Sequence, residues 1–114
     1  MKDNIIVNKT FDFSLNVIQL FKQLKKEKEF ILSKQILRSG TSIGANVEEA
    51  IAAHSKKDFA HKMGIALREA RETRYWTRLL EKSQLVPGDY KKYINDATEI
   101  MNILGAIVSS SRGK

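Results

Sequence analysis

The spacing of the apolar residues constrains this fold more than any other feature of the sequence. Along almost the whole chain, apolar side chains recur three and four positions apart, which places them on one face of an α-helix. The pattern predicts four amphipathic helices, at about 10–28, 30–53, 55–83 and 89–109. Helices of this length with short connections are typical of an antiparallel up-down four-helix bundle. We therefore predict an all-α fold in which residues 1–114 form a single domain.

Local signals agree with these boundaries. Ser55, with Asp58 three residues later, resembles a capping box at the start of the third helix. The only proline, Pro87, marks a break before the last helix, for which Asp89 is a candidate N-cap. The lysine- and glutamate-rich run at 25–29 is expected to be a solvated helix end and turn.

The charge of the chain points to an acidic partner. Its 114 residues carry a formal net charge of +7, which favours nucleic acid first, although solubility alone explains the charge equally well. The absence of cysteine excludes disulfides and thiolate metal sites. No segment approaches the roughly 20 apolar residues of a membrane span, and the N-terminal stretch is too polar for a signal peptide. We therefore expect a cytoplasmic protein without membrane association.

The glycine-rich stretch Arg38–Ala50, RSGTSIGANVEEA, is either a phosphate-binding loop or a helix of small residues. It lacks the Gly-Lys-Ser/Thr ending of a P-loop and the spacing of a dinucleotide-binding fingerprint. The apolar phase also continues unbroken from Ile36 to Val47, so the stretch is predicted to be helical. Gly40 and Gly44, one turn apart, would then let another helix approach closely, either of the same chain or of a neighbouring subunit.

A polar line runs along the other flank of this second helix. Such a line is either an interface, a buried hydrogen-bond network or a face wet by solvent. The polar line comprises Gln35, Ser39, Ser42, Asn46 and Glu49, followed by Ala53.

On the third helix, Glu72 lies one turn before Trp76, and we predict that the two are structural partners near the core.

The third helix, about 40 Å long, carries a basic face opposite its core stripe. Eight positions spaced by four and three fall within an arc of about 100° that contains no acid. Unopposed cations suit a nucleic-acid backbone, whereas a solubility face usually mixes signs. Glu69 and Glu72 lie beside the arc and could pair with some of its arginines. The eight positions are Lys57, His61, Gly64, Arg68, Arg71, Tyr75, Arg78 and Lys82, and Arg74 lies further round.

Catalytic alternatives have weaker support. His54, Asp58 and His61 have the spacing of three metal ligands on one side of a helix, but His54 precedes the predicted N-cap. A carboxylate metal site of a hydrolase would use glutamates of the bundle, yet the Glu-x-x-His pairs of di-iron bundles are absent. We therefore predict no enzymatic activity, no cofactor and no metal. The glutamates concerned are Glu48, Glu49, Glu69 and Glu72.

Three motifs carry a family resemblance: QxxRSGTSIGANVEEA at 35–50, SKKDF at 55–59 and ALREARETRYWTRLL at 66–80. With them the chain, from about Phe11 onward, resembles the bacterial four-helix-bundle proteins named after intervening sequences in 23S ribosomal RNA genes. The resemblance implies a small up-down bundle that assembles as a ring-shaped homopentamer. Relatives include the accessory variability determinant of diversity-generating retroelements, which binds nucleic acid and a reverse transcriptase.

The predicted function is that of a non-enzymatic, homo-oligomeric bundle that binds RNA or DNA through the basic face of its third helix. The alternative is a scaffold whose basic face meets an acidic protein. The predicted nucleic-acid-binding residues are Lys57, His61, Arg68, Arg71, Arg74, Arg78 and Lys82. The predicted structural or interface residues are Arg38, Gly40, Ser42, Gly44, Asn46, Glu49, Glu72 and Trp76.

Overall fold

The computed structural model describes residues 2–112 and confirms the all-α bundle. Its four helices are α1 (Lys2–Lys26), α2 (Leu32–Ile51), α3 (Lys56–Ser83) and α4 (Lys91–Arg112). Each helix packs against the next along the chain, and α1 closes the bundle by meeting α4 less closely. The bundle measures 45 × 22 × 21 Å. None of the helices in this part of the chain is long and apolar enough to cross a membrane.

The predicted apolar faces form the core. Ile36, Ile43 and Val47 of α2 are fully buried, which confirms that the apolar phase runs through the glycine-rich stretch without a break. The inner face of α3 consists largely of small residues, all of them buried. On α4, Ile100 and Leu104 are fully buried, and Met101 beside them is half-buried. The small residues of α3 are Ala66, Ala70, Thr73 and Thr77.

Helix α1 begins at Lys2 rather than near Thr10. Ile6 and Thr10 are buried and continue the inward line of Phe13 and Val17 toward the N-terminus. Thr10 interrupts the apolar pattern, but its hydroxyl donates to the carbonyl of Ile6 at 2.8 Å and is satisfied within the helix. A polar residue therefore occupies a core position, and the apolar pattern alone placed the helix start too late.

The turn between α1 and α2 contains a cap that the sequence did not reveal. Lys28 has a φ of 66°, the left-handed conformation common after a helix end. The carboxylate of Glu29 accepts the backbone N–H groups of Ile31, Leu32 and Ser33 at 3.1, 3.0 and 2.7 Å. These N–H groups have no partner inside the helix, so Glu29 satisfies the start of α2. The helix consequently begins at Leu32, two residues after the predicted start.

The ends of α3 and the start of α4 follow the sequence signals. The Ser55 hydroxyl accepts the N–H of Asp58 at 3.0 Å, which confirms the predicted N-cap. Asp89 accepts the N–H of Lys91 at 3.0 Å, as a capping residue does. Between them, Tyr90 is buried and donates its hydroxyl to the carbonyl of Val86. Burial, followed by the nearby charge of Glu81, raises the pKa of Tyr90 above its ordinary value.

Candidate nucleic-acid interface

The predicted basic positions form a row on the solvent side of α3. We call the six of them with basic side chains the basic row, and all six are exposed. At 1.5 Å per residue they span about 38 Å along one helix. Gly64, within the same arc, is half-buried and leaves a gap in the row. The basic row comprises Lys57, His61, Arg68, Arg71, Arg78 and Lys82.

The acids beside the basic row pair with another helix instead. Arg38 of α2 reaches across to α3, where its guanidinium lies 3.3 Å from the Glu69 carboxylate and also bonds Glu72. Glu69 and Glu72 could have paired with arginines of the row, but both pair with Arg38 of α2 instead. Among residues 5–111, whose side chains the structure describes, no ion pair involves a member of the basic row.

Arg38 is the centre of a polar group that we call the Arg38 cluster. Its guanidinium donates to the Gln35 side-chain oxygen through Nε at 3.2 Å and through a terminal nitrogen at 3.1 Å. Glu72 also accepts the indole N–H of Trp76 at 3.0 Å, so the predicted Glu72–Trp76 partnership is present. The cluster joins α2 to α3 through charge-assisted hydrogen bonds, which are stronger than neutral ones. Its members are Gln35, Arg38, Glu69, Glu72 and Trp76.

Tyr75 lies within the same arc as the basic row, and 51% of its surface is exposed. Its ring meets the Trp76 ring edge to face, with centroids 5.2 Å apart and planes inclined at 66°. Such a contact is favourable for aromatic pairs and restrains the orientation of both rings. The Arg38 cluster thus extends, through Trp76, to an aromatic side chain on the basic face.

Arg74 differs from the other predicted binding residues. It is half-buried, and its Nε is buried with no hydrogen-bond partner among the described residues. Its position on the helix is turned away from the exposed arc toward the core side, so it is not a member of the basic row. Arg74 is the one predicted contact that the fold withdraws partly from solvent.

The polar line of α2 is divided between a buried bond and a solvated edge. Ser39 is buried, and its hydroxyl accepts a hydrogen bond of 2.8 Å from Thr73 of α3. Asn46 donates to the Ser42 carbonyl at 2.9 Å within α2, and both are half-buried. Glu49, near the end of the line, is exposed. The line therefore belongs to the α2–α3 contact at its N-terminal half and to the surface at its C-terminal end.

The two glycines of α2 face α1 of the same chain. A Cβ atom on Gly40 would lie 2.8 Å from both methyl carbons of Val17. A Cβ atom on Gly44 would lie 3.3 Å from the Thr10 carbonyl oxygen and 3.4 Å from the Ser14 hydroxyl. Gly44 is buried by this contact, so of the two alternatives it faces a helix of the same chain. The glycines allow α1 and α2 to approach closely.

The residues considered as metal ligands are not brought together. Among the side chains that the structure describes, no group of three or more histidines, aspartates or glutamates is placed to hold a metal ion. His54 lies in the connection before α3, whereas His61 is exposed on the helix itself. Two of the four glutamates considered, Glu69 and Glu72, are bound to Arg38.

The sequence reasoning missed an apolar surface on α1. Phe11, Leu15 and Ile18 are 57%, 49% and 37% exposed, and we call them the α1 apolar stripe. Their spacing of four and three places them on one side of the helix, away from the buried line of Phe13 and Val17. The same spacing is visible in the sequence, but the apolar pattern alone does not distinguish these exposed residues from the buried ones of the same helix. Three large apolar side chains in one exposed line are uncommon on an isolated bundle.

A basic four-helix bundle with this architecture has known relatives. The family model for the 23S rRNA-intervening sequence protein matches residues 2–106. The chain belongs to this family, in agreement with the resemblance carried by its motifs. No curated protein matches the chain.

A solved structure of the same kind supports the fold. It is a protein of unknown function from the S23 ribosomal protein family of Bacteroides thetaiotaomicron. The two sequences are 47% identical over 96% of this chain and 99% of that chain, and the TM-score is 0.88. At this identity the likeness extends to the full bundle, while the function of the relative is itself described as unknown.

Proposed function

We propose that this protein is a non-enzymatic homo-oligomer that binds RNA or DNA through the basic row of α3. One observation carries the proposal: the row is exposed, and among the described residues its cations have no acidic partner. The acids nearest to it are held by Arg38 from the neighbouring helix. The positive potential of the row is therefore left for an anionic partner.

The chemistry of the row fits phosphate groups. Three of its six members, Arg68, Arg71 and Arg78, are arginines, whose planar guanidinium groups can bond phosphate through two N–H groups at once. Lysines at both ends add charge without a geometric demand. Binding that depends on such contacts releases counterions, so its affinity falls as the salt concentration rises.

Charge reversal tests the proposal. We expect Arg68→Glu/Arg71→Glu/Arg78→Glu to abolish binding of random-sequence RNA and DNA oligonucleotides, measured by fluorescence anisotropy over a salt series. Lys28→Glu/Lys34→Glu/Lys92→Glu is the matched control, since it changes the net charge equally at exposed positions outside α3. Circular dichroism should show the same helix content for both variants.

Three results would contradict the proposal. Equal loss of binding in the two triple variants would mean that net charge, rather than the row, attracts the nucleic acid. Undiminished binding by the α3 variant would show that the basic row is not the binding surface. A parent protein that binds no nucleic acid but retains an acidic protein would favour the alternative of a protein scaffold.

The oligomeric part of the proposal concerns the α1 apolar stripe. Covering Phe11, Leu15 and Ile18 with a second copy would remove apolar surface from water, which favours association. In the described part of the chain, α1 and α3 are not neighbouring helices and lie diagonally across the bundle. Assembly through α1 would therefore leave the basic row free. The family resemblance favours a ring of five copies.

Sedimentation measures this assembly directly. The parent is expected at about five times the 13.0 kDa mass of the chain. Phe11→Ser/Leu15→Ser/Ile18→Ser should shift it to the mass of one chain, because the exposed stripe becomes polar. Leu85→Ser is the control, since Leu85 is 60% exposed in the loop after α3. A stripe variant that keeps the parent mass would exclude this surface as the subunit contact.

A further inference from the structure

We infer that the basic row takes single-stranded rather than duplex nucleic acid, and that a base stacks on the ring of Tyr75. The inference rests on the proposed nucleic-acid binding and adds a substrate class to it. It comes from the position of one aromatic side chain in a line of cations, and from the contacts that hold this side chain in place.

Tyr75 lies inside the basic row. Arg71 precedes it by one turn, and Arg78 follows it by three residues, so both belong to the same arc of α3. With half of its surface exposed, the Tyr75 ring is open to a flat ligand. Leu79, one turn further on, is also exposed at 36% and adds apolar surface beside the ring. A base on Tyr75 would thus have arginines on both sides for its flanking phosphates.

The orientation of the Tyr75 ring is restrained before any ligand binds. One edge-to-face contact joins it to Trp76, the indole N–H of Trp76 is held by Glu72, and Glu72 is bonded to Arg38. This chain of contacts ties an exposed ring to a neighbouring helix. A restrained side chain loses less conformational entropy on binding than a free one. The arrangement therefore suits a stacking platform better than a freely rotating surface tyrosine would.

The shape of the row favours a single strand. In a duplex, the bases are stacked on one another, and their faces are closed to a side chain on the protein surface. Unpaired bases offer those faces, and basic grooves with aromatic side chains are the usual means of binding single strands. The row is also straight over about 38 Å, whereas each backbone of a duplex winds around its axis. A straight line of cations follows an extended strand more closely.

The test compares ligands and tyrosine variants. Anisotropy titrations would use a 12-nucleotide uridine oligomer, the thymidine oligomer of equal length and a 12-base-pair duplex. We expect the parent to bind both single strands more tightly than the duplex. Tyr75→Leu should weaken single-strand binding about tenfold, because an aliphatic side chain cannot stack. Tyr75→Phe is the matched control and should stay within about twofold, because it keeps the ring.

Two further readouts separate stacking from charge. The slope of affinity against salt should be the same in the parent and both Tyr75 variants, because no phosphate contact is removed. Trp76 is the only tryptophan, so its fluorescence should change when a single strand covers the neighbouring ring. Tighter binding of the uridine oligomer than of the thymidine oligomer would favour RNA as the ligand, and the reverse order would favour DNA.

The outcomes distinguish the inference from the proposal on which it rests. Unchanged affinity in Tyr75→Leu, together with lost binding in the arginine triple variant, would overturn the stacking inference and keep the basic row. Duplex binding that equals or exceeds single-strand binding would also overturn it. Full binding by the arginine triple variant would instead contradict the proposed function itself.

Discussion

At the scale of single residues, the two glycines of α2 show how a costly residue can be necessary. Glycine within a helix costs about 1 kcal/mol relative to alanine. At Gly40, however, the added methyl group of alanine would come within 2.8 Å of both branches of Val17. Val17 is fully buried and its β-branched side chain has little freedom to turn away. Gly40 is thus required by the close approach of α1.

Alanine substitution at two glycines gives opposite results. We expect Gly40→Ala to destabilise the bundle, since overpacking costs about 1–3 kcal/mol and exceeds the gain in helix propensity. Gly105→Ala should stabilise it by up to about 1 kcal/mol, because nothing lies within 4 Å of the added carbon. Urea unfolding at one fixed protein concentration measures both. A higher urea midpoint for Gly40→Ala than for the parent would mean that the Val17 side chain can move aside at little cost.

At the scale of elements, α2 determines what α3 presents to solvent. Glu69 and Glu72 belong to α3, but Arg38 of α2 neutralises both. The same contacts fix Trp76 and, through it, Tyr75. The α2–α3 contact therefore has two roles, since it packs the bundle and removes negative charge from the edge of the basic row.

Removal of Arg38 tests this relation between the helices. We expect Arg38→Ala to weaken nucleic-acid binding severalfold at low salt, although Arg38 is outside the basic row, because two carboxylates become unpaired beside it. Replacing these two acids as well, in Arg38→Ala/Glu69→Gln/Glu72→Gln, should restore most of the affinity. The measurement is anisotropy with a 12-nucleotide single strand. Failure of the glutamine replacements to restore binding would argue that Arg38 itself contacts the ligand.

At the scale of the whole molecule, the two candidate surfaces lie on helices that are not neighbours. The α1 apolar stripe and the basic row belong to opposite corners of the described bundle, since the neighbours of α1 are α2 and α4. Five copies joined through α1 would carry five basic rows. A long strand could then contact several rows at once, which raises affinity through effective concentration without a new contact.

Ligand length separates binding by one row from binding by several. We expect Phe11→Ser/Leu15→Ser/Ile18→Ser to bind a 12-nucleotide strand as the parent does, but to lose at least about tenfold in affinity for a 60-nucleotide strand. The reason is that a single chain offers one basic row to a long strand, whereas an assembly offers several rows that bind the same strand together. Anisotropy with both lengths gives the comparison. An equal effect on the two lengths would show that the stripe acts on folding or on the row itself.

Much of the fold follows from the sequence because helical periodicity is local. The inward line of α2 could be read from the spacing of Ile36, Ile43 and Val47, and the start of α3 from Ser55 and Asp58. Where the prediction failed, a polar residue took an unexpected place. Thr10 occupies a core position by bonding within its own helix, and Glu29 caps α2 from a run that resembles a solvated turn.

The sequence by itself determined the four helices, their inward faces and the exposed row of cations on α3, because these depend on spacing within one helix. Only the tertiary structure decided which helix meets each flank of α2. The glycines face Val17 and Thr10 of α1, while Arg38 takes the acids beside the basic row. Such pairings depend on how neighbouring helices are shifted and rotated against each other, which results from the packing of the whole core and not from the spacing within any one segment.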